Sequence, residues 1–314
     1  MLCNSEFSSC DGSKIRYTKV GINKKGKIFF VGGLFSNRIM WVPFSIPFLM
    51  SHECVLVDIR GHGFSEDNSK IEDDILDLHA KDLAELFERE CDSNNNIVVS
   101  LSLGATNLLK SSEYFNFSKI NKAIFIEPPI VTQKDKDNHL KNLGTVYSKI
   151  IESNVEKIQK QNMLQIFQEA NAFSELPLSC KEISEQSLEL IFIVGSKGLR
   201  TRFPLLNKIP SKARILIMKT ASFTEYKFNT YFKLASAFFS KEEDYSEYLK
   251  NMQNTETHFF LGMNNHFFNN ERNIERILSS KRDSVIVKFK KSGHDLQLNE
   301  PIKFLKEFWN SIND

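Results

Sequence analysis

Residues 96–109 read NIVVSLSLGATNLL. A short apolar run, Ile97-Val98-Val99, ends in Ser100-Leu101-Ser102-Leu103-Gly104, and a helix-like segment follows at once. The order is strand, sharp turn, helix, with Ser102 at the apex. This is the nucleophile-elbow pattern G-x-S-x-G, with Ser100 in place of the first glycine. The chemistry open to such a serine is acyl transfer through a covalent intermediate. Strand and helix pass close together at the turn, so the residues two before and two after the apex must be small, and Ser100 and Gly104 are. The helix N-terminus beneath Ser102 favours developing negative charge. A serine hydroxyl is a weak nucleophile at neutral pH, so it also needs a base. The plain alternative is a serine-rich turn between a buried strand and a surface helix.

The elements that must position this turn alternate between strand and helix signals. Strands are expected at 13–20, 27–31, 54–58, 97–101 and 122–126. Residues 73–89 carry Ile75, Leu76, Leu78, Leu83, Leu86 and Phe87 at helical spacing. Such alternation is the signature of βαβ units and a mostly parallel sheet. Residues 132–256 break the pattern, being rich in charge and helical periods. Helices are expected at 143–173 and 229–252, whereas 188–195 and 213–218 read equally as strand or buried helical turn. The sheet pattern resumes with strands at 257–261 and 284–289, a helix at 271–279 and a terminal packing helix at 301–309. The expectation is an α/β core formed by 1–131 and 257–314, with 132–256 inserted as a mainly helical cap.

A chain of 314 residues buries a large core. Its 41 Lys and Arg nearly balance 39 Asp and Glu, and no basic block or nucleic-acid motif is present, so no nucleic-acid partner is expected. Five cysteines, an odd number without a close C-x-x-C pair, argue against a disulfide framework and against a structural zinc site. Cys54, in an apolar strand, reads as core. The N-terminus lacks the apolar region of a signal peptide. The apolar stretch 39–50 is too short to span a bilayer and contains two prolines. A cytoplasmic protein with no transmembrane segment, no metal and no cofactor is expected; the oligomeric state stays open.

Four features together resemble the α/β-hydrolase superfamily, in its cap-containing form. Phe29-Phe30-Val31-Gly32-Gly33-Leu34 is similar to that family's strand, His-Gly and oxyanion-hole loop, with Gly32 in place of the histidine. Asp58-Ile59-Arg60-Gly61-His62-Gly63-Phe64-Ser65 resembles its D-x-R-G-x-G-x-S turn. Residues 100–104 sit at its elbow, and Gly293-His294 precedes a final helix as its catalytic histidine does. The resemblance implies Ser102 as nucleophile and His294 as general base, with His62 as a rival histidine in a Gly-flanked turn. It implies main-chain amides of Leu34 and Leu103 as oxyanion donors.

The third triad member departs from the pattern. The family places an aspartate three residues after a glycine that follows the penultimate strand, and here that position is Asn265. Three readings stay open: the acid has moved to Glu127, at the end of strand 122–126; Asn265 itself orients the histidine, as asparagine does in Cys-His-Asn enzymes; or the acid is lost. The first is favoured, because a carboxylate stabilises the imidazolium formed in the transition state whereas an amide only positions it.

The implied activity is hydrolysis of an ester or thioester on a small-molecule or acyl-carrier-linked substrate. Met40, Trp41, Phe44, Ile46, Pro47, Phe48 and Leu49 after the oxyanion loop suit an apolar or aromatic substrate. So do Phe167, Phe173, Phe228, Phe232, Phe238 and Phe239 in the cap, although aromatics at helical spacing more often form core. The alternatives are a C–C bond hydrolase, an acyltransferase, or a catalytically silent ligand- or partner-binding protein. Dehalogenase and epoxide-hydrolase relatives use an aspartate nucleophile, and position 102 is serine.

Overall fold

The structure is a computed structural model, and it describes residues 2–34, 36–70, 72–91, 95–137, 208–210, 212–213, 225–265 and 268–313. Eight strands form one sheet: β1 Leu2–Ser8, β2 Lys14–Gly21, β3 Lys27–Val31, β4 Glu53–Asp58, β5 Asn96–Leu101, β6 Lys122–Ile126, β7 Glu256–Gly262 and β8 Val285–Phe289, in the order β1-β2-β4-β3-β5-β6-β7-β8. The pairs β1–β2 and β2–β4 are antiparallel, and every other pair is parallel. The principal helices are α1 Ile75–Glu90, α2 Leu103–Ser111, α3 Glu225–Ser240, α4 Asn270–Ser280, α5 Leu296–Asn299 and α6 Pro301–Asn313.

Period-two alternation sends neighbouring side chains to opposite faces of the sheet, and the phenylalanines of β3 show it. Phe29 meets Phe87 of α1 edge-on, with ring centroids 5.3 Å apart. Phe30 turns the other way to Trp41 and to Phe308 of α6, at 5.4 and 6.4 Å. Both faces are therefore covered by helix, and strands β3 and β6 are buried at every residue. That double burial is why they read as continuous apolar runs. Asp74 caps α1 by accepting from the amides of Leu76 and Asp77, at 3.2 and 3.3 Å. Asn269 caps α4 through the amides of Glu271 and Arg272.

The α/β sheet with its helical insertion is borne out, with two departures in detail. Strand β1 was not expected: of its residues only Phe7 is buried, so no apolar alternation marks it, and it exists by pairing with β2 at the sheet edge. The helix expected over 229–252 is shorter at its C-terminal end. It spans Glu225–Ser240, and a separate 3-10 turn covers Glu247–Met252. Asp244 breaks the run by accepting from the amide and hydroxyl of Ser246, at 3.0 and 2.6 Å, an alternative to helical bonding.

Contacts divide the chain into two compact units, Met1–Thr132 with Glu242–Asp314, and Gln133–Lys241. Residues 242–256, grouped with the insertion by sequence, lie in the first unit. Lys110 of α2 holds them by an ion pair to Glu243 at 2.6 Å. In the second unit Phe238 and Phe239 meet edge-on at 5.2 Å, and the Lys136 ammonium lies 4.8 Å from the Phe238 ring centre. The readings for 143–173, 188–195 and 214–218, and for Phe167, Phe173, Phe228 and Phe232, fall outside the described residues or side chains. No helix among the described residues is long and apolar enough to cross a membrane.

Candidate active site

In an open α/β sheet, ligands bind beyond the carboxyl ends of the strands. Ser102 follows β5, Glu127 follows β6, Asn265 lies just beyond β7, and His294 lies beyond β8. Register sets the first two on neighbouring rungs. The Ser102 amide donates to Ile126 O at 2.8 Å, and the Glu127 amide donates to Phe260 O at 2.9 Å. Ser102 (φ 51°, ψ −124°) and Glu127 (φ 50°) are the two non-glycine residues with positive φ among those described. Each such backbone costs on the order of 1–3 kcal/mol and persists only where surrounding structure over-determines it.

Close packing explains the small residues at the serine turn. A Cβ on Gly104 would overlap the carbonyl of Gly32, so any larger residue pushes α2 off the β3 loop. A Cβ on Gly33 would lie 2.8 Å from Leu101 O and 3.1 Å from the Ser102 Cβ, which puts the Gly32-Gly33 turn directly against Ser102. Ser36 fills the space a side chain at position 32 would need, and its hydroxyl donates to Gly33 O at 2.6 Å. Leu103 is the first residue of α2, where main-chain amides lack helical partners. Neither its amide nor that of Leu34 has an acceptor among the described residues. Ser100 is fully buried, and its hydroxyl has no hydrogen-bond partner among the described residues.

A second close approach brings His294 to Glu127. A Cβ on Gly262 would strike the Gly293 carbonyl. This contact, with the Asn264 amide on Ser292 O at 2.9 Å, seats the loop after β8 on the loop after β7. His294 Nδ1 then stands 3.6 Å from Glu127 Oε2. The Glu127 side chain is 1% exposed and is surrounded by donors. The Gly262 amide donates to Oε1 and the Asn265 side chain to Oε2. Asn270 Nδ2 lies 3.2 and 3.3 Å from the two oxygens and also donates to Gly262 O at 2.9 Å. Asn273 in turn donates to Asn270 Oδ1 at 2.9 Å. Burial alone would push the His294 imidazolium below its ordinary range. The nearby carboxylate of Glu127, with the charge of Asp295, outweighs burial and raises it.

The structure therefore brings Ser102, Glu127, Asn265 and His294 to adjacent strand ends, and it joins Glu127 to both Asn265 and His294. His62 is fully buried, edge-on to His79 at 6.2 Å, with its Nδ1–H donating to Arg60 O at 2.8 Å. The Asp58 to Ser65 turn acts as a brace. Asp58 accepts from the amides of Arg38 and Phe64, at 2.7 and 2.9 Å, and Arg60 is buried with both carboxylate oxygens of Asp82, at 2.8 and 2.9 Å. Trp41 and Phe48, read from sequence as substrate lining, are core residues packed under α6. Asn270 was missed, because an asparagine at a helix start reads as a cap.

No curated protein matches the chain. Among solved structures it is similar to a putative aryl esterase from Burkholderia cenocepacia (15% identity, TM-score 0.65, covering 99% of this chain and 98% of that one). It is similar to an esterase from Exiguobacterium antarcticum (18%, 0.64, 99% of each). The thioesterase domain from the curacin biosynthetic pathway shares the fold at 12% identity and TM-score 0.59, with 99% of each chain covered. The family described as alpha/beta hydrolase fold matches residues 27–301, most of the chain and every strand from β3 to β8. With strand order, loop packing and family match in agreement, the chain belongs to the alpha/beta hydrolase fold family.

Proposed function

We propose that the protein is a serine hydrolase that cleaves an ester or thioester through an acyl-enzyme. The observation that carries this reading is the 3.6 Å approach of a buried carboxylate, Glu127, to His294, on the strand end next to Ser102. In this reading Ser102 Oγ attacks the carbonyl carbon while His294 Nε2 takes its proton. Glu127 holds the ring through Nδ1–H and compensates the imidazolium. The amides of Leu34 and Leu103 stabilise the oxyanion, the largest single contribution in many acyl-transfer enzymes. Collapse of the tetrahedral intermediate breaks the bond to the alcohol or thiol, which leaves with the proton from His294. Water, activated by the same imidazole, then releases the acid and restores Ser102.

The aryl esterase and thioesterase named among the similar folds represent the two leaving-group chemistries of this reading, on an apolar or aromatic acyl substrate. Among the described residues Cys3, Cys10 and Cys54 are free thiols, which supports a reducing, cytoplasmic setting.

A serine-directed fluorophosphonate probe tests the assignment. It labels the wild type, mass spectrometry places the adduct on Ser102, and S102A is unlabelled. Labelling that persists in S102A, or absence of turnover on a panel of esters and thioesters, rejects it.

A further inference from the structure

Of the thirteen large apolar side chains exposed among the described residues, eight lie on two neighbouring segments. On the stretch after the Gly32-Gly33 turn they are Ile39, Met40, Val42, Ile46 and Met50; on α6 they are Ile302, Leu305 and Trp309. The segments touch: Phe44 lies 5.7 Å from Phe304, and Phe48 stacks on Trp309 at 5.2 Å. Helix α6 thus carries two apolar stripes. Phe304, Phe308 and Ile312 fill the core, whereas Ile302 is 85% exposed and continues outward through Leu305 and Trp309 at helical spacing. A surface helix needs only the first stripe. An outward second stripe, continuous with a second apolar segment, marks an interaction surface.

The rim of this face is basic. Lys303 and Lys306 border the outward stripe of α6. Lys303 donates to Lys288 O at 2.6 Å, and the Lys291 amide donates to Glu300 at 2.8 Å, so the end of β8 with its lysines lies beside the helix start. At the other end the amides of Lys24 and Lys25 donate to Ser51 O, next to Met50. The side chains of Lys24, Lys25, Lys290 and Lys306 have no carboxylate partner among the described residues. The chain as a whole carries a formal charge of only +2, so this excess is local.

We propose that this face docks on an anionic lipid bilayer. The aliphatic stripe enters the boundary between headgroups and acyl chains, Trp309 sits at the interface, and the lysines meet lipid phosphates. Composition favours this over a protein partner: protein interfaces are enriched in aromatics, methionine and arginine and depleted in lysine, whereas here Ile39, Val42, Ile46, Ile302 and Leu305 outnumber Met40, Met50 and Trp309, and the rim is lysine. A second copy is disfavoured because a two-fold contact would set one lysine rim against another.

The chain's two tryptophans make the test direct: Trp41 is buried and Trp309 is half exposed. Vesicles of phosphatidylcholine with phosphatidylglycerol are expected to sediment the full-length protein and shift its tryptophan emission to the blue. Pure phosphatidylcholine vesicles should bind about tenfold more weakly or less. W309F should keep sedimentation and lose the shift. I302E/L305E should abolish binding with its circular dichroism unchanged, and K303E/K306E, which touches only the rim, should abolish the preference for the anionic lipid. Equal binding to both vesicle types, no binding to either, or binding indifferent to both double variants overturns the proposal. A concentration-dependent dimer in light scattering that I302E/L305E dissolves also overturns it and assigns the face to a second copy.

Discussion

Asn265 donates its side-chain N–H to Glu127 Oε2, the same oxygen that faces His294 Nδ1 at 3.6 Å. The two residues between which the sequence left the orienting role open are thus partners. One carries the carboxylate and the other holds it. Like charges sharing such a site cannot both ionise. N265D is therefore expected to lower kcat further than N265A, by about tenfold, although Asp is nearer to Asn in shape. KM should change little. Steady-state kinetics on an activated ester checks this, and N265D activity at or above that of N265A rejects the donor role.

The raised imidazolium of His294 fixes the sign of the pH dependence. In the proposed mechanism His294 acts as the base in its neutral form, so kcat/KM is expected to rise with pH along a limb centred above the ordinary value of 6.5. In E127Q the carboxylate charge that raises it vanishes while burial, which lowers it, remains. The limb should move to lower pH, and kcat should fall by about 10²–10⁴-fold. The same linkage bears on stability. The His294–Glu127 pair stabilises the fold while His294 is protonated, and that contribution is lost as pH rises through its folded value. A pH–rate profile of E127Q with its acid limb unmoved would separate Glu127 from the histidine.

Ser100 presents a buried hydroxyl without a partner among the described residues. Leaving such a group unsatisfied costs about 1–3 kcal/mol, so S100A should be neutral or stabilising and keep activity. Thermal and urea unfolding measure it. A loss of more than about 1 kcal/mol would show that the hydroxyl is bonded in solution.

Much of this arrangement was readable in the chain because its causes are local. Strands β3 to β6 are buried on both faces and announce themselves as apolar runs. Ser102 is announced by the small residues its packing demands. Glu127 could be singled out because it ends a strand beside the serine turn. What was not readable depends on distant partners. Polar β1 is ordered by pairing with β2, and the break after Ser240 rests on the side chain of Asp244. Asn270 has a role only because Gly262 and Gly293 bring two loops together. The aromatics of 41–48 looked like a substrate lining, yet Trp41 and Phe48 serve the core, a choice made by α6 from the far end of the sequence.

The two left-handed residues hang from the neighbouring strand, Ser102 from Ile126 and Glu127 from Phe260, like successive steps of one stair. A slip of one residue between β5 and β6, or between β6 and β7, would remove a step and turn that strand's side chains to the opposite face. A collapsed chain with full secondary structure but unsettled pairing therefore holds none of the geometry the proposed mechanism uses. During refolding, returning turnover would mark the moment at which three central strands find their register.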